Sequence, residues 1–170
     1  MTGTQDFPLV ITRTLNAPRA LVWDCYSKLE HLKKWWGPVG FEWIEGTLDF
    51  KPGGMFHYGM RAPNGTEMWG RFVYQAIAKP ETIDFINSFS DPSGGIAKPP
   101  YPGMEKFPRE VMNHMAFENR GSQTELIFRG GPHNASSEER KFYESWLPSM
   151  NQGFSGTFAQ LETYLDTLKG

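Results

Sequence analysis

Thiol chemistry is nearly absent from this chain: Cys25 is its one cysteine in 170 residues. An intrachain disulfide is therefore excluded, and a reducing compartment is expected. Unbalanced charge is missing too. A formal net charge of -2 and a pI near 6.1 leave no electrostatic footprint for nucleic acid or an anionic membrane. No apolar run approaches the ~20 residues of a membrane span. The start from Met1 to Asp6 is polar and lacks the basic and apolar regions of a signal peptide. The expectation is a soluble, cytoplasmic protein with no nucleic-acid partner.

Motifs of familiar chemistry are also scarce. His31, His57, His114 and His133 fall on different predicted elements, with no H-x-x-x-H pair, so no metal site is expected. No G-x-S-x-G elbow is present, and Cys25 falls on the apolar face of a predicted helix, where a small buried thiol is the ordinary reading. Gly53-Gly54 and Gly94-Gly95 lack the glycine spacing and the lysine of a phosphate cradle, so no nucleotide cofactor, and no other cofactor, is expected.

Aromatics are what the chain has in quantity, at 15% of its residues. They sit in a readable order. Leu9 to Leu15 alternates as a first strand. Asn16 is placed to cap a helix with Pro18 in its first turn, and Leu21, Val22, Cys25, Tyr26 and Leu29 form one apolar face. A break near Ser27 separates a second short helix through Leu32 and Trp35, which Gly37-Pro38 stops. From Phe41 to Phe89 the period is two, with turns at Pro52-Gly53-Gly54, Asn64-Gly65 and Lys79-Pro80-Glu81. These short connections predict an antiparallel meander.

Residues 90–108 hold Pro92, Gly94, Gly95, Pro99, Pro100, Pro102, Gly103 and Pro108, which predicts a long irregular loop. Such a segment is a lid, an interface or a tolerated surface insertion. A last hairpin runs over 111–118 and 124–129, with Gly130-Gly131-Pro132 expected to end the sheet. Ser136 and Glu139 offer a capping box. Phe142, Trp146, Met150, Phe154, Phe158, Leu161 and Leu165 then mark a long helical stripe that Pro148 should kink or restart. Within it, Gly153 and Gly156 suggest close helix-to-sheet packing. The expected fold is α+β: a curved antiparallel sheet of about six or seven strands around a long C-terminal helix, with two short helices after the first strand. One domain is expected over 1–170, with 1–7 flexible.

These pieces carry a resemblance. Ala17-Pro18 through Val22-Trp23, Trp35-Trp36-Gly37-Pro38, Pro52-Gly53-Gly54, the Met60 to Gly65 turn and the closing Gly153-Phe154 to Tyr164-Leu165 helix are similar to the heat-shock-protein-90 ATPase activator homologue family, within the START/Bet v 1-like (SRPBCC) superfamily. The family usually shows Gly-Trp where this chain has Gly153-Phe154. The resemblance implies a helix-grip fold, a long helix held in a sheet with a cavity between them. It brings no shared catalytic constellation to carry over, and fold alone does not fix function.

The leading expectation is binding of a small hydrophobic molecule in that cavity. Phe56, Tyr58, Met60, Phe72, Tyr74 and Phe85 from the sheet would face Trp146, Met150, Phe154 and Phe158 from the helix, with Tyr58 or Asn87 orienting the ligand. Tyr58 and Asn87 read equally well as core groups satisfied by internal hydrogen bonds. A second expectation is a cyclase- or hydrolase-type enzyme using Tyr58, His114 or Asp84, which requires at least two of them to converge in the cavity. A third is an interaction module for a chaperone or for a second copy of the chain as a homodimer. Its surface would hold Trp36, Trp43 and the Pro92 to Pro108 loop.

Overall fold

A computed structural model describes residues 6–168 of the chain. Of the expected flexible start over 1–7, residues 1–5 lie outside the described residues. The elements run β1 (Leu9–Leu15), α1 (Arg19–Ser27), α2 (Leu29–Trp35), β2 (Glu42–Leu48), β3 (Met55–Arg61), β4 (Glu67–Ala78), β5 (Thr82–Ser90), β6 (Glu110–Arg120), β7 (Gln123–His133), α3 (Ser137–Ser145) and α4 (Leu147–Leu168). The strands form one seven-stranded sheet in the order β1-β7-β6-β5-β4-β3-β2. Every pairing is antiparallel. Strands β2 to β7 are a plain meander, and β1 closes it by adding to β7. The two short helices carry the chain from one edge of the sheet to the other. Bulges at Trp43/Glu45 and Tyr74/Ala76 add to the twist that curls it.

Alternation sorts the side chains. Phe56, Tyr58 and Met60 of β3, Phe72 and Tyr74 of β4, Ile83 and Phe85 of β5, Met115 and Phe117 of β6, and Leu126 and Phe128 of β7 are buried. They meet Phe158, Leu161 and Leu165 from α4, all but fully buried, and Val22, Trp23, Cys25 and Tyr26 from α1. Edge-to-face pairs Trp23–Phe117 and Tyr26–Phe117, both at 5.2 Å, lock α1 to the sheet, and Tyr26–Trp35 at 4.8 Å joins α2 to α1.

Several local expectations are corrected. Pro18, not Asn16, is the N-cap of α1, and no side chain caps that helix. Strand β7 does not stop at Gly130 but continues to His133, with Pro132 opposite Val111. Since β1 reaches only to Leu9 opposite Gly130, Pro132 lies at an edge of the ladder, where proline is tolerated. The closing helix breaks at Trp146, and Pro148 falls in the first turn of α4, where its missing N–H has no helical partner to lose. The capping box at Ser136 and Glu139 forms as expected.

Polar contacts fix where α4 lies. The Gly37 carbonyl accepts from Thr157 Oγ1 at 3.0 Å and from Gln160 Nε2 at 2.8 Å. Gln160 also donates to the Trp35 carbonyl at 3.2 Å. Gly37 has φ of 114°, and a Cβ there would overlap the Met60 sulfur, so only glycine fits this corner. Arg13 binds Glu162 at 2.7 Å and the Ser155 carbonyl at 3.1 Å, tying β1 to the same helix. The His31 ring and the Tyr164 hydroxyl, 2.6 Å apart, tie α2 to it.

Thr157→Val keeps the shape of a buried side chain but removes its donor, and should cost about 1 kcal/mol of stability in urea unfolding. Burial, helped by Asp24, pushes the Cys25 thiol from 9.0 up to about 12. The thiolate is thus disfavoured only in the folded chain, so this group's contribution to stability is complete below pH 9 and declines as pH rises towards 12. Cys25 should resist a thiol-directed disulfide reagent at pH 8 and react fully once the chain is unfolded. Fast labelling of the native chain would contradict this.

Candidate ligand-binding cavity

Between α4 and the curled sheet the packing stops short. One chamber, of about 220 Å³, lies where the Trp36-Gly37-Pro38 corner faces Tyr58, Met68, Gly70, Asn87 and Phe89 of the sheet and Met150, Gly153, Phe154 and Thr157 of α4. A second, of about 440 Å³, is bounded by Asn87, Phe89, Val111 and Asn113 below, by Tyr143, Trp146 and Met150 at the α3–α4 break, and by Tyr101, Met104 and Phe107 of the long loop. Asn87, Ser88, Phe89, Met150 and Phe154 line both, so the chambers adjoin.

Two glycines border the first chamber. A Cβ on Gly153 would meet nothing within 4 Å. Expected to bring helix and sheet together, Gly153 instead stands exposed at the border of the chamber; it is Gly156 whose added Cβ would crowd a neighbour, the Val39 side chain. On β4, a Cβ on Gly70 would overlap the Tyr58 hydroxyl. The missing side chain therefore lets the Tyr58 ring lean across β4 toward β5.

The loop over 91–109 is a wall rather than a surface insertion. Met104 is buried, and Phe107 sits edge-on to Phe89 at 6.0 Å and near Tyr143 at 5.9 Å. Lys106 pairs with Glu138 at the start of α3. Asp91 folds the loop's first turn by accepting from the backbone N–H groups of Ser93 at 2.8 Å and Gly95 at 3.0 Å.

The polar groups on this apolar lining are few. Among the residues lining either chamber there is no Asp, Glu, His, Lys, Arg or Cys. Asn113 Nδ2 donates to the Val111 carbonyl at 3.2 Å and to Asn87 Oδ1 at 2.8 Å. A carbonyl can only accept, so the Val111 contact orients the Asn113 amide, and that in turn orients Asn87. Asn87 thus spends its oxygen on Asn113 and leaves its N–H₂ donors to the cavity. Burial pushes the Tyr58 phenol up to about 12; the nearby Trp36 indole opposes the rise without reaching hydrogen-bond geometry, and Trp36 Nε1 is buried without a partner. Tyr101 is also raised by burial, so the phenols in the cavity are neutral donors near pH 7.

The histidines lie elsewhere. His114 pairs with Asp84 directly across the β5–β6 ladder. Both stand on the parity opposite to Phe85 and Asn113, on the outer face, where each is about one-third exposed. Tyr58 faces the cavity, so the convergence that the acid–base expectation required is not formed. His57 reaches the Asp91 carbonyl at 3.0 Å and stacks on Trp69 at 5.4 Å. Among the described residues no three of His, Cys, Asp and Glu gather into a metal-binding group.

This fold recurs in solved structures. A crystallised protein of Mycobacterium smegmatis superposes with a TM-score of 0.74 at 23% identity, over 95% of this chain and 94% of its own. A Nitrosomonas europaea protein gives 0.72 at 22% identity, over 96% and 98%. The AHSA1 protein of Silicibacter pomeroyi gives 0.72 at 16% identity, over 95% and 99%. A search of curated protein sequences finds no match. The family model described as activator of Hsp90 ATPase homolog 1-like protein matches residues 16–166. The chain belongs to that family.

Membership of the activator-homologue family accounts for the helix grip, and the side chains of this chain give its cavity. Of the expected ligand-facing residues, Tyr58, Asn87, Trp146, Met150 and Phe154 line the chambers. Phe72, Phe85 and Phe158 border only a gap of about 10 Å³ beside them. Phe56, Met60 and Tyr74 line none of these spaces and are packed as core, because β3 and β4 carry them under β2 and the Trp23–Phe50 corner. Sequence reasoning missed Asn113, Tyr101, Phe107, Tyr143, Gly70 and Gly153. Asn113 had left a signal as a polar residue on the inward parity of β6, and Gly153 as a glycine within the helical stripe.

Gly153→Ala adds a methyl group to open space in a helix, and should raise stability by about 0.4–1 kcal/mol. Gly70→Ala displaces the Tyr58 ring and should lower it by about 1–3 kcal/mol. Thermal unfolding of the two variants checks the opposite signs.

Proposed function

We propose that the protein binds one small, largely apolar molecule within the two adjoining chambers. The observation that carries this reading is the pairing of sizeable space with unspent donors: an interior that leaves the buried Trp36 Nε1 without a partner, beside the Tyr58 hydroxyl and the Asn87 amide, is incomplete as a core and suited to a guest. Apolar contact with Met68, Phe89, Met150 and Phe154 would supply most of the affinity. Among the described residues no helix is long and apolar enough to cross a membrane.

The family description names a chaperone-ATPase activator, which raises the interaction reading again. Two members of its expected surface, the tryptophans, are engaged elsewhere. Trp36 is turned into the cavity, and Trp43 stacks on Phe56. Among the described residues the exposed large hydrophobics are Val10, Val39, Ile96 and Leu168, on separate parts of the chain. They favour no single docking face.

N-phenyl-1-naphthylamine, an uncharged probe that brightens in apolar surroundings, tests the reading. It should bind saturably at one site per chain. Gly153→Leu, which sets an apolar side chain at the exposed border of the first chamber, should weaken it about tenfold or more while the variant stays folded by circular dichroism. Absence of saturable binding, or equal binding by the folded variant, would refute the proposal.

A further inference from the structure

Resting on that reading, the polar groups say what kind of guest the first chamber takes. The Tyr58 hydroxyl reaches over Gly70; on β5, Phe89 stands opposite Gly70 and Asn87 lies two residues along the same face. Tyr58 and Asn87 both offer hydrogens. Asn87 has its oxygen committed to Asn113 at 2.8 Å, so toward the chamber it can only donate. The carbonyl of Gly37, one of the chamber's lining residues, already accepts from Thr157 and Gln160. Donors therefore outnumber free acceptors on the chamber's lining, where the Ser88 hydroxyl, buried without a partner, can serve as either.

The absence of cations among its lining residues divides the acceptors. A carboxylate or phosphate would lose its hydration here with no opposite charge to offset the loss. A carbonyl oxygen has a far smaller desolvation cost and two lone pairs, one for each donor. We propose that the first chamber recognises an uncharged aromatic or polycyclic ketone, its carbonyl oxygen accepting from the Tyr58 hydroxyl and the Asn87 amide. The apolar body would lie against Phe154 and Met150, where the helix has no side chain at Gly153. The longer second chamber would take whatever extends from the ring system.

Three naphthalenes of one size separate the contributions: 2-acetylnaphthalene with a carbonyl, 2-ethylnaphthalene with no acceptor, and 2-naphthoate with a charge. Each is measured by displacement of N-phenyl-1-naphthylamine from the full chain. The ketone should bind about tenfold more tightly than the hydrocarbon, the equivalent of one or two net hydrogen bonds, and the carboxylate should bind most weakly at pH 7. Tyr58→Phe should remove about three- to tenfold of the ketone's advantage and leave the hydrocarbon unchanged. Asn87→Asp keeps an oxygen for Asn113 but turns the free donor into an acceptor, and should act in the same direction.

A ketone no tighter than the hydrocarbon, a carboxylate tighter than both, or an advantage that survives Tyr58→Phe would overturn the assignment while leaving cavity binding intact. Failure of all three to displace a probe that itself fails to bind would instead overturn the cavity reading and this proposal with it.

Discussion

One carbonyl holds the molecule's functional geometry together. Gly37 lies at the end of α2, beyond Trp35 and Trp36, in a conformation that a side chain would strain. Its oxygen is the point where α4 grips the chain, through Thr157 and Gln160. Trp35 is pinned separately, by its ring N–H donating to the Cys25 carbonyl at 3.0 Å. Between these fixed points Trp36 has one direction left, inward, where its ring meets Phe72 at 5.1 Å and Tyr58 at 6.0 Å. A buried pair of hydrogen bonds on one acceptor thus sets the height of the helix over the sheet, and with it the depth of the first chamber.

The interior combines two kinds of packing. At the α1 end, Trp23, Phe117, Leu126, Leu161 and Leu165 interlock with almost no exposure. At the opposite end, glycines face the helix and the sheet, and the loop over 91–109 roofs a space it does not fill. The well-packed end supplies stability and the open end supplies room for chemistry, a division that close packing of proteins would otherwise resist. Because the lining carries no charged group, a guest of the proposed kind would be held by contact area and by a few donors, among them the Asn87 amide that the Asn113–Val111 contact orients.

The fold was largely legible in the residues themselves. Period-two alternation from Phe41 onward, the Asn64-Gly65 and Gly53-Gly54 turns and the Ser136–Glu139 box each reflect local physics, and each is found where it was read. The errors came where a neighbour decides. Pro132 could join a strand because β1 ends before it, and Gly153 could mean close approach or empty space depending on what stands opposite. Five of the eight expected ligand-facing aromatics, Phe56, Phe72, Tyr74, Phe85 and Phe158, pack away from the chambers for the same reason: parity says which face a side chain takes, and only register and helix position say whether that face is filled. Asn87 and Asn113 illustrate the limit. Their inward parity could be read, but the hydrogen bond that leaves one of them with free donors joins residues 26 positions apart.

The account's central claim is that a guest enters between α4 and the sheet, and methionine methyl groups report on that location directly. Met68, Met104 and Met150 line the chambers, Met115 is buried in the core, and Met55 and Met112 lie on the parity opposite the buried side of their strands. In a methyl-resolved NMR titration of methionine-labelled protein with N-phenyl-1-naphthylamine, the account predicts large saturable shifts at Met68 and Met150, smaller ones at Met104, and silence at Met55 and Met112. Shifts confined to Met55 and Met112, or no shifts at all at saturating probe, would contradict it.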